Sequence, residues 1–267
     1  MSHFTVAVIS KKGTPEEVEK LLAPFDENKE VPHYISKEEI ITIERNKIEE
    51  YKNETYKEYL DNPEKYSEGC GESHLNYVKN EFPKKLKWTD EELYQEGIRY
   101  EEETIQPDGS VFSSYNPKSE WDWYQIGGRW KGLLRKKNGL KVDSCKIDDL
   151  DLSKDKEMYD KAIRYWEVVV DHSEIKEEEN KADFGSFYNE GYFVRTFGTK
   201  EQYAEIQSSL RTYALITPEG EWLSKGKMGW FGLSDESKES VENYNELFVS
   251  TIEKNKDCFI TIVDCHI

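Results

Sequence analysis

The sequence predicts an α+β fold: a ferredoxin-like mixed core sheet formed by both chain ends, with acidic, mainly helical insertions. Two β-branched, almost continuously apolar runs, Phe4 to Ile9 and Cys258 to Val263, lie near the two ends of the chain. Such runs are typical of strands that are buried on both faces. Helix-capping signals accompany both runs, which indicates strand–helix units packed on one sheet.

A helix is predicted directly after the first run. Thr14 supplies an N-cap, Pro15 occupies the first helical position, and Glu17 follows the cap by three residues. This combination satisfies the free N–H groups of a helix start.

The C-terminal part repeats this pattern of strands and helices. We expect a strand over 192–196, a helix opened by Thr199 and Gln202, a hairpin over 212–223, and a last helix from Ser234. The final apolar run then completes the sheet.

The segments between these elements are predicted to be insertions. Ser36 and Glu39 form a capping box that opens a long helix toward Leu60, and another helix is expected from about Ser153. The predicted organisation is a core of 1–25, 111–134 and 191–267, an insertion at 26–110 and a second insertion at 135–190.

The charge of the chain is concentrated in these insertions. The whole chain of 267 residues has a formal net charge of −18; 26–110 contains 23 acidic and 12 basic residues, and 135–190 contains 15 and 11. Direct nucleic-acid binding requires clustered Lys and Arg and is therefore not expected. A partner with a basic surface is favoured, with solubility alone as the alternative.

Composition narrows the class of protein further. Aromatic residues make up 13 % of the chain, which argues against disorder, and no apolar run is long enough to span a bilayer. The first residues lack the features of a signal peptide, and the four cysteines lack metal-type spacing. We expect a cytoplasmic protein with no membrane partner, no metal and no cofactor.

The segment from Trp121 to Trp130 is the strongest candidate for a binding site, because it combines aromatic residues, a carboxylate, a guanidinium and a Gly-Gly pair. We expect Arg129 to bind an anionic group between aromatic walls. The alternative is an edge strand whose tryptophans cover the core, with Arg129 stacked on an aromatic ring or paired with Asp122. A second aromatic run, 228–232, adds Trp230. The predicted binding residues are Trp121, Asp122, Trp123, Tyr124, Arg129, Trp130 and Trp230.

Two histidines near the chain ends form a second candidate site. If the terminal strands are antiparallel neighbours, His3 and His266 converge, with Asp264 and Cys265 close by. Such a cluster is suited to zinc binding or acid–base chemistry. The alternative is that both are structural histidines at strand ends.

Catalytic motifs give no support for a particular enzyme. The phosphate-binding patterns GxxxxGK[ST] and GxGxxG and the nucleophile pattern GxSxG are absent from the sequence. No catalytic residue is therefore assigned, and enzymatic activity is the less favoured reading.

Three segments resemble a family of uncharacterised phage and prophage proteins. They are the start Met1–Val6, the run from Asn116 through Trp121–Trp130, and the end Val263–Ile267. The size and acidity are also similar to those of phage-encoded inhibitors of Gabija, a bacterial defence built from a nuclease and a helicase. That resemblance implies a binding protein that oligomerises around a defence complex, and it assigns no site residues.

The expected function is inhibition of a host nuclease or other nucleic-acid-binding defence complex by protein–protein binding, in the bacterial cytoplasm. Self-association is expected through aromatic stripes on the long helix, which includes Tyr51, Tyr56 and Tyr59. The alternative is a small enzyme or ligand-binding protein with a pocket around Asp122, Arg129, His3 and His266.

Overall fold

The computed structural model describes residues 2–68, 70–101, 104–186, 188–226 and 236–267. They form an α+β structure, as predicted. The strands are β1 (His3–Ser10), β2 (His33–Ile35), β3 (Val111–Ser113), β4 (Trp123–Ile126), β5 (Leu134–Arg135), β6 (Lys141–Val142), β7 (Ser144–Lys146), β8 (Ala214–Ile216), β9 (Trp222–Ser224) and β10 (Phe259–His266).

The α-helices range from single turns to a helix of 17 residues. They are α1 (Pro15–Leu22), α2 (Lys37–Tyr51), α3 (Lys57–Asp61), α4 (Pro63–Glu68), α5 (Glu72–Asn76), α6 (Phe82–Lys85), α7 (Asp90–Gly97), α8 (Lys156–Val169), α9 (Glu190–Phe197), α10 (Lys200–Ser208) and α11 (Lys238–Lys254).

The chain divides into two compact units. The first contains 1–29 and 117–267, and the second contains 30–116. The first expected insertion therefore corresponds approximately to the second unit. Residues 135–190, expected as a separate insertion, belong to the same unit as the chain ends.

A six-stranded mixed sheet organises the first unit. Its path is β4-β10-β1-β8-β9, and β7 pairs with β10 on the same edge as β4. β10 is antiparallel to β1 and β8 is parallel to β1. Both chain ends therefore occupy the middle of the sheet, as the two apolar runs predict.

The arrangement of the hairpin differs from the ferredoxin-like expectation. The order β1, α1, β8, β9, α11, β10 does follow a β-α-β-β-α-β sequence of elements. However, β8 lies directly beside β1, whereas a split βαβ unit has another strand between its two parallel strands. The hairpin is therefore placed with its first strand, not its second, against β1.

The two faces of the sheet are covered by different elements. Ile260 and Ile262 of β10 pack with Tyr244, Phe248 and Ile252 of α11 on one face. The opposite face packs on the N-terminal helix and the start of the aromatic segment, through the residues Val6, Val8, Val18, Leu22 and Trp121. Strands buried on both faces explain the continuous apolar runs.

The predicted strand over 192–196 is wrong, because this segment lies in α9. The Asn189 side chain accepts a hydrogen bond from the N–H of Tyr192 and so caps a helix start. Phe193, Thr196 and Phe197 then share one buried helical face. Phe193 and Phe197 pack with α8 and α10 in an aromatic cluster, where helical spacing outweighs the strand preference of β-branched and aromatic residues.

Three of the five predicted helix starts are confirmed, whereas α8 and α11 begin a few residues later than predicted. Thr14, the pair Ser36 and Glu39, and the pair Thr199 and Gln202 cap helices as expected. α11 begins at Lys238 after the cap Ser237 rather than at Ser234, which lies outside the described residues. α8 begins at Lys156, three residues later than expected, because Asp155 is its cap.

The second unit consists of a helical run from α2 to α7 and the antiparallel strand pair β2–β3. Ile40, Tyr94 and Val111 form its buried centre, with partly buried isoleucines around them. In the described part of the chain no helix is both long and apolar enough to cross a membrane.

We predict that truncating the packing between α11 and the sheet strongly destabilises the first unit. Ile252 is 1 % exposed, so Ile252→Ala should cost about 2–5 kcal/mol in the free energy of unfolding, measured by urea denaturation. Leu247, on the same helix, is 47 % exposed and is the matched control; Leu247→Ala should cost less than about 1 kcal/mol. Equal losses in the two variants would contradict the assignment of this helix face.

Candidate functional site: a histidine–aspartate corner

The antiparallel pairing of the terminal strands brings the two predicted histidines together. His3 of β1 lies directly opposite His266 of β10. Their ring centroids are 5.0 Å apart, and the ring planes are inclined by 73°. The convergence expected for antiparallel strands is therefore confirmed.

Each imidazole is held by its own carboxylate. Nδ1 of His3 lies 2.8 Å from Oδ1 of Asp264, and Nδ1 of His266 lies 2.6 Å from Oδ1 of Asp122. Because a carboxylate accepts hydrogen bonds, these contacts place a proton on Nδ1 and leave Nε2 available as the second nitrogen of each ring. We call these four residues the histidine–aspartate corner.

Nε2 of His266 is buried and has no hydrogen-bond partner among the described residues. A buried polar atom without a partner costs about 1–3 kcal/mol. Buried polar groups are usually paired, so this nitrogen is a candidate contact for a ligand.

Asp264 connects the corner to the Gly-Gly pair of the aromatic segment. It is 2 % exposed, and its Oδ2 accepts a hydrogen bond of 3.0 Å from the backbone N–H of Arg129. Gly128 has a φ of +50°, and a Cβ at this position would overlap Asp264. The glycine therefore lets the backbone approach the buried carboxylate closely.

A second carboxylate, Asp143, supports the same loop from the other side. Its Oδ1 accepts from the N–H of Gly132 at 2.6 Å, and a Cβ at Gly127 would lie 2.6 Å from its Oδ2. Asp143 is absent from the predicted site, because nothing distinguishes it in sequence from the other 54 acidic residues.

The predicted aromatic residues have separate structural roles. Trp121 is buried, and its indole N–H donates to the carbonyl of Leu22. Tyr124 is partly buried against the same core, and burial raises the pKa of its phenol. These two side chains cover the sheet, as the structural alternative for this segment predicts.

The remaining predicted residues lie closer to the corner. Trp123 is 49 % exposed, with its ring centroid 6.0 Å from that of His3. Trp130 packs against the α11 face of the core. Arg129 is exposed and contributes its backbone N–H to the corner. Trp230 lies outside the described residues.

Asp122, one of the two partners that the edge-strand alternative allows for Arg129, contacts Nδ1 of His266. β4 does lie at an edge of the sheet, as that alternative predicts. The sequence could not reveal the actual partner, because Asp122 and His266 are 144 positions apart.

Cys265, which the sequence places near the corner, lies on the opposite face of β10 with the α1 cluster. Burial raises the pKa of its thiol far above the ordinary value, so this cysteine is a neutral packing residue. The described residues contain no group of three or more His, Cys, Asp or Glu side chains arranged to hold a metal ion.

The start of the chain, the aromatic segment and the last residues meet at this corner: His3 comes from the first, Asp122 and Gly128 from the second, and Asp264 and His266 from the third. Comparison of the chain with family models, curated proteins and solved structures finds no match.

We predict that the close approach of Gly128 to Asp264 is required for the corner. Gly128→Ala should cost about 1–3 kcal/mol more in the free energy of unfolding than Gly139→Ala. Gly139 also has a positive φ, +85°, but has open space around it. Gly139→Ala therefore measures the cost, about 1 kcal/mol, of placing alanine at a positive φ without a steric clash. Chemical denaturation measures both variants, and equal losses would contradict a steric role of Asp264.

Proposed function

We propose that the histidine–aspartate corner binds a small polar ligand and exchanges protons with it. The observation that carries this proposal is the buried Nε2 of His266, which has no partner among the described residues while its Nδ1 is fixed by Asp122. An imidazole oriented by a carboxylate is the usual arrangement of a general acid or base.

The second pair strengthens this proposal. His3 and Asp264 repeat the arrangement only 5.0 Å away, measured between the imidazole centroids. Two imidazoles can serve as acid and base toward one ligand if they differ in protonation. The side chains of His3 and His266 are 14 % and 16 % exposed, so bulk water has limited access to them.

We predict that ligand binding depends on His266. In a thermal-shift screen of polar metabolites, a binding compound should raise the Tm by about 2–4 °C for each kcal/mol of stabilisation. The shift should be retained in His172→Gln and lost in His266→Gln. His172 is a matched control, since it also contacts a carboxylate, Glu190, at 2.6 Å, but is 73 % exposed.

Calorimetry of the same compound in two buffers tests the proton exchange. The binding enthalpy should change with the ionisation enthalpy of the buffer for the native protein, because protons are taken up or released. A compound that stabilises His266→Gln as well as the native protein would place the binding site elsewhere. A buffer-independent enthalpy would contradict the acid–base part of the proposal.

A second candidate function is inhibition of a host defence nuclease or DNA-binding complex by protein–protein binding. Residues 30–116 contain 21 acidic and 11 basic residues. On the β2–β3 strand pair of this acidic unit, Tyr34 is 61 % exposed and Phe112 is 38 % exposed, and their rings are in contact. Exposed aromatic side chains within a charged surface are typical of interface anchors.

We predict that Tyr34→Ser with Phe112→Ser abolishes capture of a nucleic-acid-binding defence protein from bacterial lysate. Capture by the native protein should weaken at high salt, because the acidic surface attracts a basic partner. Tyr100→Ser is the control, since Tyr100 is 85 % exposed in the same unit. Undiminished capture by the double variant would exclude the β2–β3 strand pair as the interface.

A further inference from the structure

A cavity of about 460 Å³ adjoins the histidine–aspartate corner within the first unit. His3 and Thr5 of β1 line one side, and Trp130 lies on the wall. Arg211, Lys225 and Glu236 bring three charged groups to the same space. The cavity therefore joins one imidazole of the corner to a charged cluster that the proposed function does not use.

The charged cluster has more positive than negative charge. Nζ of Lys225 lies 3.0 Å from Oε1 of Glu236, and these side chains are only 22 % and 10 % exposed. Arg211 adds a second cation, whose guanidinium contacts the side-chain oxygen of Gln207. Two cations and one carboxylate leave one net positive charge in a chain whose total charge is −18.

Burial destabilises the charged forms of both cations. Desolvation lowers the pKa of Arg211 and also that of Lys225. Glu236 opposes the effect at Lys225, and repulsion from Arg211 adds to it. An anion placed between the two cations would offset both the desolvation and the repulsion.

The remaining walls suit an organic molecule rather than a bare ion. Leu133, Met158 and Trp130 provide apolar surface, and Tyr188 provides a phenol whose pKa is raised by burial. A volume of this size accommodates a small metabolite, with the anionic group at the cations and the body along the apolar wall.

We propose that this cavity binds the phosphate or carboxylate group of a small organic molecule through Arg211 and Lys225, and so positions the rest of the molecule beside His3. Anion binding by Arg211 and Lys225 is argued from the cavity alone, whereas the placement of the molecule beside His3 rests on the proposed function of the corner. A guanidinium can donate two parallel hydrogen bonds to an oxyanion, and an ammonium adds a point charge.

The test measures the dependence of Tm on inorganic phosphate and, separately, on acetate, with sodium chloride used to hold the ionic strength constant. At least one of the two anions should stabilise the native protein in a saturable manner. Arg211→Gln should weaken the apparent affinity about tenfold or more, and Lys225→Met should weaken it as well. Arg195→Gln, an exposed arginine of the same unit, should bind as the native protein does.

The outcomes separate this inference from the proposed function. His3→Gln should retain anion binding, because the anion contacts Arg211 and Lys225. Arg211→Lys keeps the charge and should retain part of the affinity even if Arg211→Gln is destabilised. Failure of both anions to stabilise the native protein, or equal affinities in the native protein and Arg211→Gln, would overturn the anion site. Loss of proton exchange with intact anion binding would overturn only the corner.

Discussion

The pairing of β1 with β10 is the constraint on which the rest of the first unit depends. It places apolar residues from the two chain ends in the centre of the sheet. Both faces of the sheet must therefore be buried by other elements. One face packs against α11, and the other packs against α1 and the start of the aromatic segment. The same register sets His3 opposite His266. The candidate site is therefore a direct result of strand register, because a shift of one residue would send one histidine to the other face.

The histidine–aspartate corner shows how a buried carboxylate organises irregular backbone. Asp264 accepts hydrogen bonds from an imidazole and from a backbone N–H. These bonds offset the free-energy cost of burying the carboxylate. The second interaction requires the chain to pass very close to the carboxylate, and only glycine at position 128 permits it. The Gly-Gly pair is thus explained by close packing against acidic side chains rather than by phosphate binding, for which its spacing is unsuitable.

The parts of the fold that depend on local signals can be predicted from the sequence. Capping boxes and the apolar runs of the terminal strands gave correct helix starts and correct central strands. The strand predicted around Tyr192 is wrong, because aromatic and β-branched residues favour a strand, whereas the Asn189 cap and the packing of α9 favour a helix. The sequence predicts that Asp122, His3 and His266 share one pocket, but it does not predict the pairs Asp122–His266 and Asp264–His3. Contacts between distant residues leave no local pattern, and Arg211, Lys225 and Asp143 carry no spacing signal at all.

The central position of the chain ends has a consequence for biosynthesis. His3 and Asp264 of the corner lie 261 positions apart, so β1 is synthesised long before the strand that completes its pairing. Loop closure over this distance makes such topologies slow to fold. Until β10 emerges from the ribosome, β1 presents an apolar strand with an unpaired edge, which is a surface prone to aggregation.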